Sequence, residues 1–418
     1  MPGDKTRDLR KVNRRSFLRK LSAMGVSGAA LQYMTKDALA EVTDDPSDEV
    51  PILTYKRHKN HDEFVESLGT DSSVELKREP VYKTVHRDRW LKVQSAFDAA
   101  SRIRDQFSST PLVNVGVTEE TIGQKSRLVV EVDYITLESY SDEKLSPNMS
   151  YNEIAESLPS EVQGSIGEGE HRSVVEDIPV RLKRTTMRDE TEYDKEYRPV
   201  PAGPRVESPY PDTDGYQGYT LGTPAYDPNA SDYAVWVTVA HAFYKKNDDR
   251  NDVLVYQNNV EGSDYIGTMS EEDAIYGFNN PNQVNIDAAV VRRNSADKNR
   301  KYDIASNGLF EDYEGWFIKG TVGWDRLKNN VDNPDFTLYK QGSTTGRVNG
   351  GLDKVGDEYF FTSFQSKDGD SGGPYFEVSG GDSYIAGVHK GFWEDEENDS
   401  GTTASGMVHI EDHFDIIV

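Results

Sequence analysis

A serine flanked by glycines lies in the segment Gly369-Asp370-Ser371-Gly372-Gly373-Pro374. Glycines around a serine let the backbone turn so that the hydroxyl is exposed. They also let the N–H groups of Gly369 and Ser371 point at one spot, where two donors can bind the oxyanion of an acyl-transfer intermediate. The segment therefore predicts a nucleophilic serine with its oxyanion site, and a plain glycine-rich turn is the alternative.

A serine nucleophile needs a base, and His241 is the candidate. It follows the apolar run Val237-Thr238-Val239-Ala240, which predicts a strand. A histidine at a strand end can face a cleft while its backbone is held, and its ordinary pKa of about 6.5 suits proton transfer at neutral pH. Taken alone, such a histidine is more often structural. Paired with the Ser371 segment, it is predicted to be catalytic.

The base in turn needs a carboxylate that orients it. Asp287 stands just before the apolar run Ala288-Ala289-Val290-Val291. A buried carboxylate at that place can accept from the second imidazole N–H and stabilise the imidazolium. Asp303 is the competing candidate, but the Ser306-Asn307-Gly308 segment that follows it is typical of a turn. Asp287 is therefore preferred.

The chain order of these residues resembles the chymotrypsin-like (trypsin-fold) serine proteases. The matching segments are 238–241, 287–291 and 369–374, and 342–346 further resembles the bacterial streptogrisin and α-lytic branch. The resemblance covers about 216–418. It implies an all-β fold of two six-stranded antiparallel β-barrels with the site between them. It also implies the roles: Ser371 as nucleophile, His241 as general base and then acid, Asp287 as orienting carboxylate, and the N–H groups of Gly369 and Ser371 as the oxyanion hole.

Some positions depart from the family. There is no Ile-Val-Gly-Gly segment of the kind that supplies a new N-terminus in animal members, so Asp370 must find another partner or bond to backbone. Ala242 stands where a cysteine is usual. Lys390 stands where relatives usually have a serine near the triad aspartate. These departures concern the surroundings of the three catalytic candidates and not the candidates themselves.

The same resemblance implies a substrate pocket. Gln365 would be its floor, followed by Ser366, and the strand expected to pair with substrate contains His389, Lys390 and Gly391. The floor carries no negative charge, so we expect weak or no cleavage after Arg or Lys.

A histidine occupies the position of His389 in some bacterial relatives that prefer glutamate. An imidazole with hydroxyl donors can hold a carboxylate through charge-assisted hydrogen bonds. The expectation is therefore cleavage after Glu or a medium-sized neutral residue. A packed, purely structural His389 is the alternative, and Asp368 near the pocket mouth opposes an acidic ligand.

The elements that must position these residues divide the chain into five parts. Residues 1–40 are predicted to be a signal peptide, and 41–90 a mostly irregular charged lead-in. Helical and strand-like patterns over 91–185 predict a small α/β domain and possible pro-region, and 186–215 has the Pro, Gly and charge content of a linker. Regular short strands with turn signals over 216–418 predict the protease domain.

The signal peptide is predicted to be of twin-arginine type. Arg14-Arg15 precede Phe17-Leu18, a mildly apolar stretch follows, and Ala38-Leu39-Ala40 has the pattern of a cleavage site. A basic amphipathic helix is the alternative. The prediction places the protein outside the cell, either secreted or at the cell surface.

Composition excludes several classes of function. The chain has 418 residues with 47 Lys and Arg against 73 Asp and Glu, a formal net charge of −26, which disfavours nucleic-acid binding. It has no cysteine, which excludes disulfides and thiol catalysis, and no apolar run long enough to span a membrane.

The acidity predicts a halophilic source, because dense carboxylates hold water and their repulsion is screened in molar salt. An ordinary acidic secreted protein is the alternative.

Taken together, the sequence predicts an exported serine endopeptidase that acts on proteins or peptides through an acyl-enzyme. No cofactor or metal is expected. The alternatives are a catalytically silent binding protein of the same fold at the cell surface, or a functional module in 41–215 that the protease only releases.

Overall fold

The computed structural model describes most of the chain from residue 48 onward. The described residues are 48–67, 74–107, 110, 113–122, 125–137, 149–167, 169, 172–188, 200–209, 216–229, 234–243, 253–257, 265–276, 286–293, 300–304, 317–395 and 400–418. The predicted signal peptide lies outside these residues. No helix within the described ranges is long and apolar enough to cross a membrane.

The chain is mostly β-strand with five helices in its described parts. The helices are α1 (His61–Ser67), α2 (Arg87–Gln106), α3 (Tyr151–Ser157), α4 (Trp324–Lys328) and α5 (Met407–Phe414), with one 3₁₀ turn at Glu271–Asp273. The strands of the first half are β1 (Glu49–His58), β2 (Arg78–His86), β3 (Val113–Ile122), β4 (Lys125–Leu137), β5 (Glu161–Ile166), β6 (Ser173–Arg188), β7 (Val200–Ala202) and β8 (Arg205–Pro209). The strands that follow are β9 (Tyr216–Thr220), β10 (Thr223–Tyr226), β11 (Ala234–Thr238), β12 (Val253–Tyr256), β13 (Tyr265–Met269), β14 (Ala274–Tyr276), β15 (Asp287–Arg293), β16 (Arg300–Ile304), β17 (Ile318–Val322), β18 (Leu338–Gly342), β19 (Gly346–Gly350), β20 (Leu352–Val355), β21 (Tyr359–Thr362), β22 (Pro374–Ser379), β23 (Asp382–Asp395) and β24 (Ser400–Gly406).

The largest sheet joins both halves of the chain. Its main order is β19-β18-β22-β23-β24-β21-β20-β3-β4-β6-β5, and β1, β2 and β17 attach to it through a β1–β17 and a β17–β23 pairing. Because β6 also pairs with β23, the strands β23, β24, β21, β20, β3, β4 and β6 form a closed circuit of pairings. We call these seven strands the mixed ring, since β3, β4 and β6 come from the first half.

A second sheet has the order β10-β11-β15-β13-β12-β8-β9, with β14 attached to β15. The antiparallel β11–β15 pair is at its centre, with Trp236 opposite Val291 and Thr238 opposite Ala289. His241 and Asp287 lie at the same end of this pair, because β11 ends just before His241 and β15 begins at Asp287.

Helix α2 packs on the mixed ring and binds the two halves into one core. Val93 and Phe97 recur at helical spacing, as the sequence predicts, and both are buried. They belong to one hydrophobic cluster with Val130 of β4 and with Phe360 and Tyr375 of the second half. Removing the first half would therefore expose apolar surface of the second.

Several predicted boundaries differ from the structure. The lead-in at 41–90 is not irregular, because it forms β1, α1 and β2, and β1 joins the large sheet. The linker at 186–215 contains the end of β6 and all of β7 and β8, and β8 belongs to the second sheet. The predicted 91–185 unit has the expected helix and strands, but its sheet is continuous with that of the second half.

The predicted pair of purely antiparallel barrels is also not what the pairings describe. Strands β4 and β6, β17 and β23, and β7 and β16 pair in parallel. The circuit that closes does so with strands from the first half, which the resemblance does not cover. The physical reason is that the edges of β20 and β23 are paired with β3 and β6 and do not meet each other.

Candidate active site

His241 and Asp287 form a buried pair. His241 Nδ1 lies 2.6 Å from Asp287 Oδ2, and the two side chains are 3% and 0% exposed. Asp287 Oδ1 accepts hydrogen bonds from the backbone N–H groups of Ala240, at 2.8 Å, and His241, at 3.1 Å. The carboxylate therefore fixes both the backbone and the ring of His241. With Nδ1 engaged in this way, Nε2 is the ring nitrogen that can take a proton from a hydroxyl.

Asp287 remains ionised despite its burial. Burial alone would raise its pKa, but His241 and the nearby Lys390 ammonium hold the pKa of Asp287 below its usual value. Its backbone is fixed as well, since its N–H donates to Ser405 Oγ at 2.9 Å. A charged, immobile acceptor of this kind stabilises an imidazolium.

The turn that carries Ser371 is anchored on both sides. The Gly372 N–H donates to the His389 carbonyl at 2.9 Å, and the His389 N–H donates to the Gly373 carbonyl at 2.8 Å. On the other side, the Thr220 N–H donates to the Ser371 carbonyl at 2.7 Å. The turn is thus held between β23 and β9.

The same turn contacts the strand that leads to His241. Thr238 Oγ1 donates to the Thr220 carbonyl at 2.8 Å. A Cβ on Gly372, whose φ is +93°, would lie 2.1 Å from that carbonyl and 2.3 Å from Thr238 Oγ1. Only glycine permits this approach, so Gly372 brings the Ser371 turn against the end of β11. These contacts bring the Ser371 turn to the end of β11, the strand that leads to His241.

Two N–H groups of the turn have a defined direction. The Asp368 carbonyl accepts from Thr344 Oγ1 at 2.6 Å, and the Asp370 carbonyl accepts from the Gly373 N–H at 2.9 Å. In a planar trans peptide the N–H points opposite to the carbonyl. The N–H groups of Gly369 and Ser371 therefore point away from these partners. That geometry is compatible with an oxyanion hole.

Asp370 forms a buried ion pair with Lys340. The Lys340 Nζ lies 2.7 Å from Asp370 Oδ2, and both side chains are 0% exposed. The N–H groups of Thr344 and Thr345 donate to Asp370 Oδ1 at 3.0 and 2.9 Å, and Thr345 Oγ1 donates to Oδ2. Burial alone would raise the pKa of Asp370, but Lys340 and these donors hold it below its usual value.

His389, which the sequence predicts to be a pocket residue, is fully buried. Its Nε2 is 3.1 Å from Ser366 Oγ, and its Nδ1 is 3.0 Å from the Tyr375 hydroxyl. The Tyr375 hydroxyl donates to Thr402 Oγ1 at 2.5 Å, so its oxygen accepts from His389 Nδ1–H. Nε2 then accepts from the Ser366 hydroxyl. Burial and the Lys340 charge hold the pKa of His389 well below its ordinary value, so the ring is neutral at pH 7.

The remaining predicted pocket residues have varied positions. Gln365 is exposed and Ser366 partly exposed, whereas Lys390 is buried beside Asp287. Gly391 pairs with Thr403 of β24. Asp303, the alternative orienting carboxylate, lies in β16. This strand pairs with β7 and belongs to a different sheet from β11 and β15.

The motifs did not identify some residues that hold the site. These are Thr220 and Thr238, which link the Ser371 turn to β11, and Lys340 and Ser405, which hold Asp370 and Asp287. One signal was available: Lys340 interrupts the strand Leu338–Gly342, where a lysine is expected to be buried only with a paired charge.

Solved structures of serine proteases are similar to about half of the chain, at low identity. No protein-family model matches, and no curated protein matches. Solved structures that cover 52% of the chain include a glutamic acid specific serine protease described as using a histidine triad in substrate binding, at 15% identity and a TM-score of 0.36 over 100% of that chain. They also include a Nocardiopsis protease, at 17% identity and a TM-score of 0.34 over 97% of that chain, and Thermobifida fusca Protease A, at 16% and 0.34 over 98%. These values are too low to carry a functional argument, so the argument rests on the site.

Proposed function

We propose that the protein is a serine peptidase that hydrolyses peptide bonds through an acyl-enzyme. The observation that supports this most is the buried His241–Asp287 pair, held at the end of β11 against the turn of Ser371. In the proposed reaction His241 Nε2 takes the Ser371 proton as Oγ attacks the scissile carbonyl, and then gives it to the leaving amine. Water hydrolyses the resulting ester by the same proton route in reverse.

The other groups stabilise the charges that develop. Asp287 accepts from His241 Nδ1–H and stabilises the imidazolium, as its ionised state and three hydrogen bonds allow. The N–H groups of Gly369 and Ser371 would hold the oxyanion, and losing one such donor typically costs about 10²–10³ in rate. The Lys340–Asp370 ion pair stabilises the conformation of the Ser371 turn.

For the substrate side chain, we propose Glu or a medium-sized neutral residue and not Arg or Lys. Ser366 and His389 offer hydroxyl and imidazole donors, and Gln365 supplies no negative charge. Binding of a carboxylate by the Ser366 hydroxyl requires that this hydroxyl turn away from His389 Nε2. Since the Tyr375 hydroxyl keeps accepting from Nδ1–H, the ring then takes up a proton so that Nε2–H donates to Ser366 Oγ.

We propose that the protein acts outside the cell in high salt, after export by the twin-arginine route. The net charge of −26 and the paired arginines at 14–15 support this.

A fluorophosphonate probe tests the proposed function directly. The wild-type chain should be labelled at Ser371, and Ser371→Ala should lose both labelling and peptide hydrolysis while it keeps its melting temperature. Ser363→Ala, which removes the hydroxyl of an exposed serine, is the matched control. A folded wild-type chain that is neither labelled nor active would instead favour the silent binding protein.

A further inference from the structure

One edge of β23 runs past Ser371 and then meets β6. The Ser371 turn bonds to this edge at His389, through the N–H groups of Gly372 and His389. Further along, Phe392 to Asp395 pair antiparallel with Arg188 to Thr185. The stretch between the two pairings is Lys390 and Gly391.

The two pairings must share one edge. A strand in a sheet has only two edges, and β24 pairs with β23 along Gly387 to Glu394, including Phe392 opposite Thr402 and Trp393 opposite Gly401. The turn of Ser371 and the end of β6 are therefore both on the opposite edge. They are neighbours along it, two residues apart.

The end of β6 is held firmly in this place. Thr185 to Met187 pair with β4 on their other side, so β6 lies between β4 and β23. Thr185 is 1% exposed, and its hydroxyl donates to Asp133 Oδ1 at 3.0 Å. Asp133 is itself bound to the buried Lys354, whose Nζ lies 2.6 Å from Oδ2. The mixed ring thus fixes β6 by its backbone and by a buried ionic group.

The direction of β6 is that of a bound peptide chain. It runs antiparallel to β23, with its C-terminal end nearest Ser371. A peptide whose scissile carbonyl lies at Ser371, and whose N-terminal part adds to this edge as an antiparallel strand, would occupy the same line. At about 3.3 Å per residue, it would meet the end of β6 after two residues.

We infer that Thr185 to Arg188 close the substrate groove in cis, two residues before the scissile bond. The protein would then act on peptides with only two residues on the N-terminal side of that bond, and longer extensions would compete with β6 for the β23 edge. The inference rests on the proposed function. It goes beyond it by naming the substrate class, a peptide cleaved near its own N-terminus.

Matched peptides test the inference. One series has two residues before the cleaved bond and the other has four, with Glu or Leu next to that bond. In the wild-type chain, kcat/KM for the four-residue series should be at least tenfold lower than for the two-residue series. A four-residue series that is cleaved as well as the two-residue series, or better, overturns the inference.

Backbone variants at the end of β6 supply the second arm. Successive N–H groups of a strand point to opposite edges, so of Met187→Pro and Arg188→Pro one removes a donor that faces β23. That variant should raise kcat/KM for the four-residue series tenfold or more, whereas Met187→Ala and Arg188→Ala, which keep the N–H, should not. If both proline variants leave the ratio unchanged while they remain folded, β6 does not limit the groove. If the proline variants do not fold, the ratio of kcat/KM between the four-residue and two-residue series in the wild-type chain decides the inference.

The fluorophosphonate probe separates the two claims, because it is too small to need the β23 edge. Labelling of Ser371 together with efficient cleavage of the longer peptides would refute the closed groove and leave the peptidase. Absence of both labelling and hydrolysis in every folded variant would refute the peptidase, and the closed groove with it.

Discussion

Lys340 forms an ion pair with Asp370, the residue directly before Ser371, and neither side chain has any exposed surface. Asp370 also accepts from the N–H groups of Thr344 and Thr345 and from the Thr345 hydroxyl. Within the described residues, the donors to this carboxylate come from β18 and from the turn that follows it, apart from the Lys367 N–H at 3.3 Å. The conformation of the Ser371 turn therefore depends on a strand that contains no proposed catalytic group.

Lys340→Met should destabilise the fold and impair the site. Removing one partner leaves a buried carboxylate without its counter-ion, which typically costs about 3–5 kcal/mol. We expect a loss of that size in the free energy of unfolding, and lower kcat/KM. Lys319→Met, which breaks a pair with the exposed Asp62, is the control and should cost less than about 1 kcal/mol. The double variant Lys340→Met/Asp370→Asn should be more stable than Lys340→Met; if it is not, the loss arises from packing.

Asp287→Asn and Ser405→Ala should both lower kcat, the first much more than the second. Replacing the carboxylate with an amide removes the acceptor for His241 Nδ1–H and should lower kcat by about 10⁴-fold, the size measured for the equivalent change in a serine protease that uses such a triad. Ser405→Ala removes one hydrogen bond to the Asp287 backbone, at about 1 kcal/mol, and should lower kcat about fivefold. Equal losses in both variants would indicate that Ser405 has a direct role.

The preference for Glu should increase as the pH falls. Because burial holds the pKa of His389 well below its ordinary value, the ring must take up a proton from solution when a carboxylate binds at Ser366. The ratio of kcat/KM for Glu over Leu substrates should therefore rise from pH 8 to pH 6, over which range the substrate carboxylate stays ionised. Ser366→Ala should reduce this ratio and flatten its pH dependence, and Ser363→Ala should not. A ratio that rises with pH, or robust cleavage after Arg, would contradict the proposed pocket.

Acid should destabilise the protein through its buried histidines. Burial lowers the pKa of His58 to about 3, while the backbone bond to Val418 opposes the shift. In the folded protein His58 therefore stays neutral down to about pH 3, whereas in the unfolded chain it gains a proton near pH 6.5. The free energy of unfolding is therefore highest above about pH 6.5 and decreases as the pH falls toward 3. Between pH 7 and pH 5 this one group should cost about 2 kcal/mol. His58→Gln should lose less stability over that range, and the exposed His86→Gln should behave as wild type.

Salt should stabilise the protein. With a net charge of −26, mutual repulsion is felt across about 10 Å at 0.1 M ionic strength but only about 3 Å at 1 M. We expect the melting temperature to rise between these two concentrations of sodium chloride. A melting temperature that stays constant or falls would remove the argument for a halophilic source.

The proposed catalytic residues could be predicted because each sits in a short, distinctive segment. Gly369 to Pro374 is local in sequence, and the apolar runs next to His241 and Asp287 are typical of central strands. Their partners were harder to predict because they come from far along the chain. Lys340 reaches Asp370 and Ser405 reaches Asp287 only after the sheet has formed.

The strands of the first half are hard to predict from the sequence for a different reason. β2 is half-buried along most of its length, so its residues show no alternation of apolar and polar types. β1 contains Pro51, which is typical of loops and is found in sheets mainly at edges and bulges. Charged strands such as β6 pair through their backbones with β23, a contact that depends on register and not on composition.

The mixed ring has a consequence for how the protein tolerates damage. Its seven strands leave no unpaired edge along the circuit where β6 meets β23. Along this circuit the paired strands offer no template for the strands of another molecule, whereas β19, β5 and β2 each keep an open edge of the same sheet. A cut in the segment between β6 and β7 would separate the chain into two pieces that still share one core. They would come apart only if three strand pairings opened, β1–β17, β3–β20 and β6–β23. The β6–β23 pairing would then both protect the edge of β23 from other strands and help to retain a nicked chain.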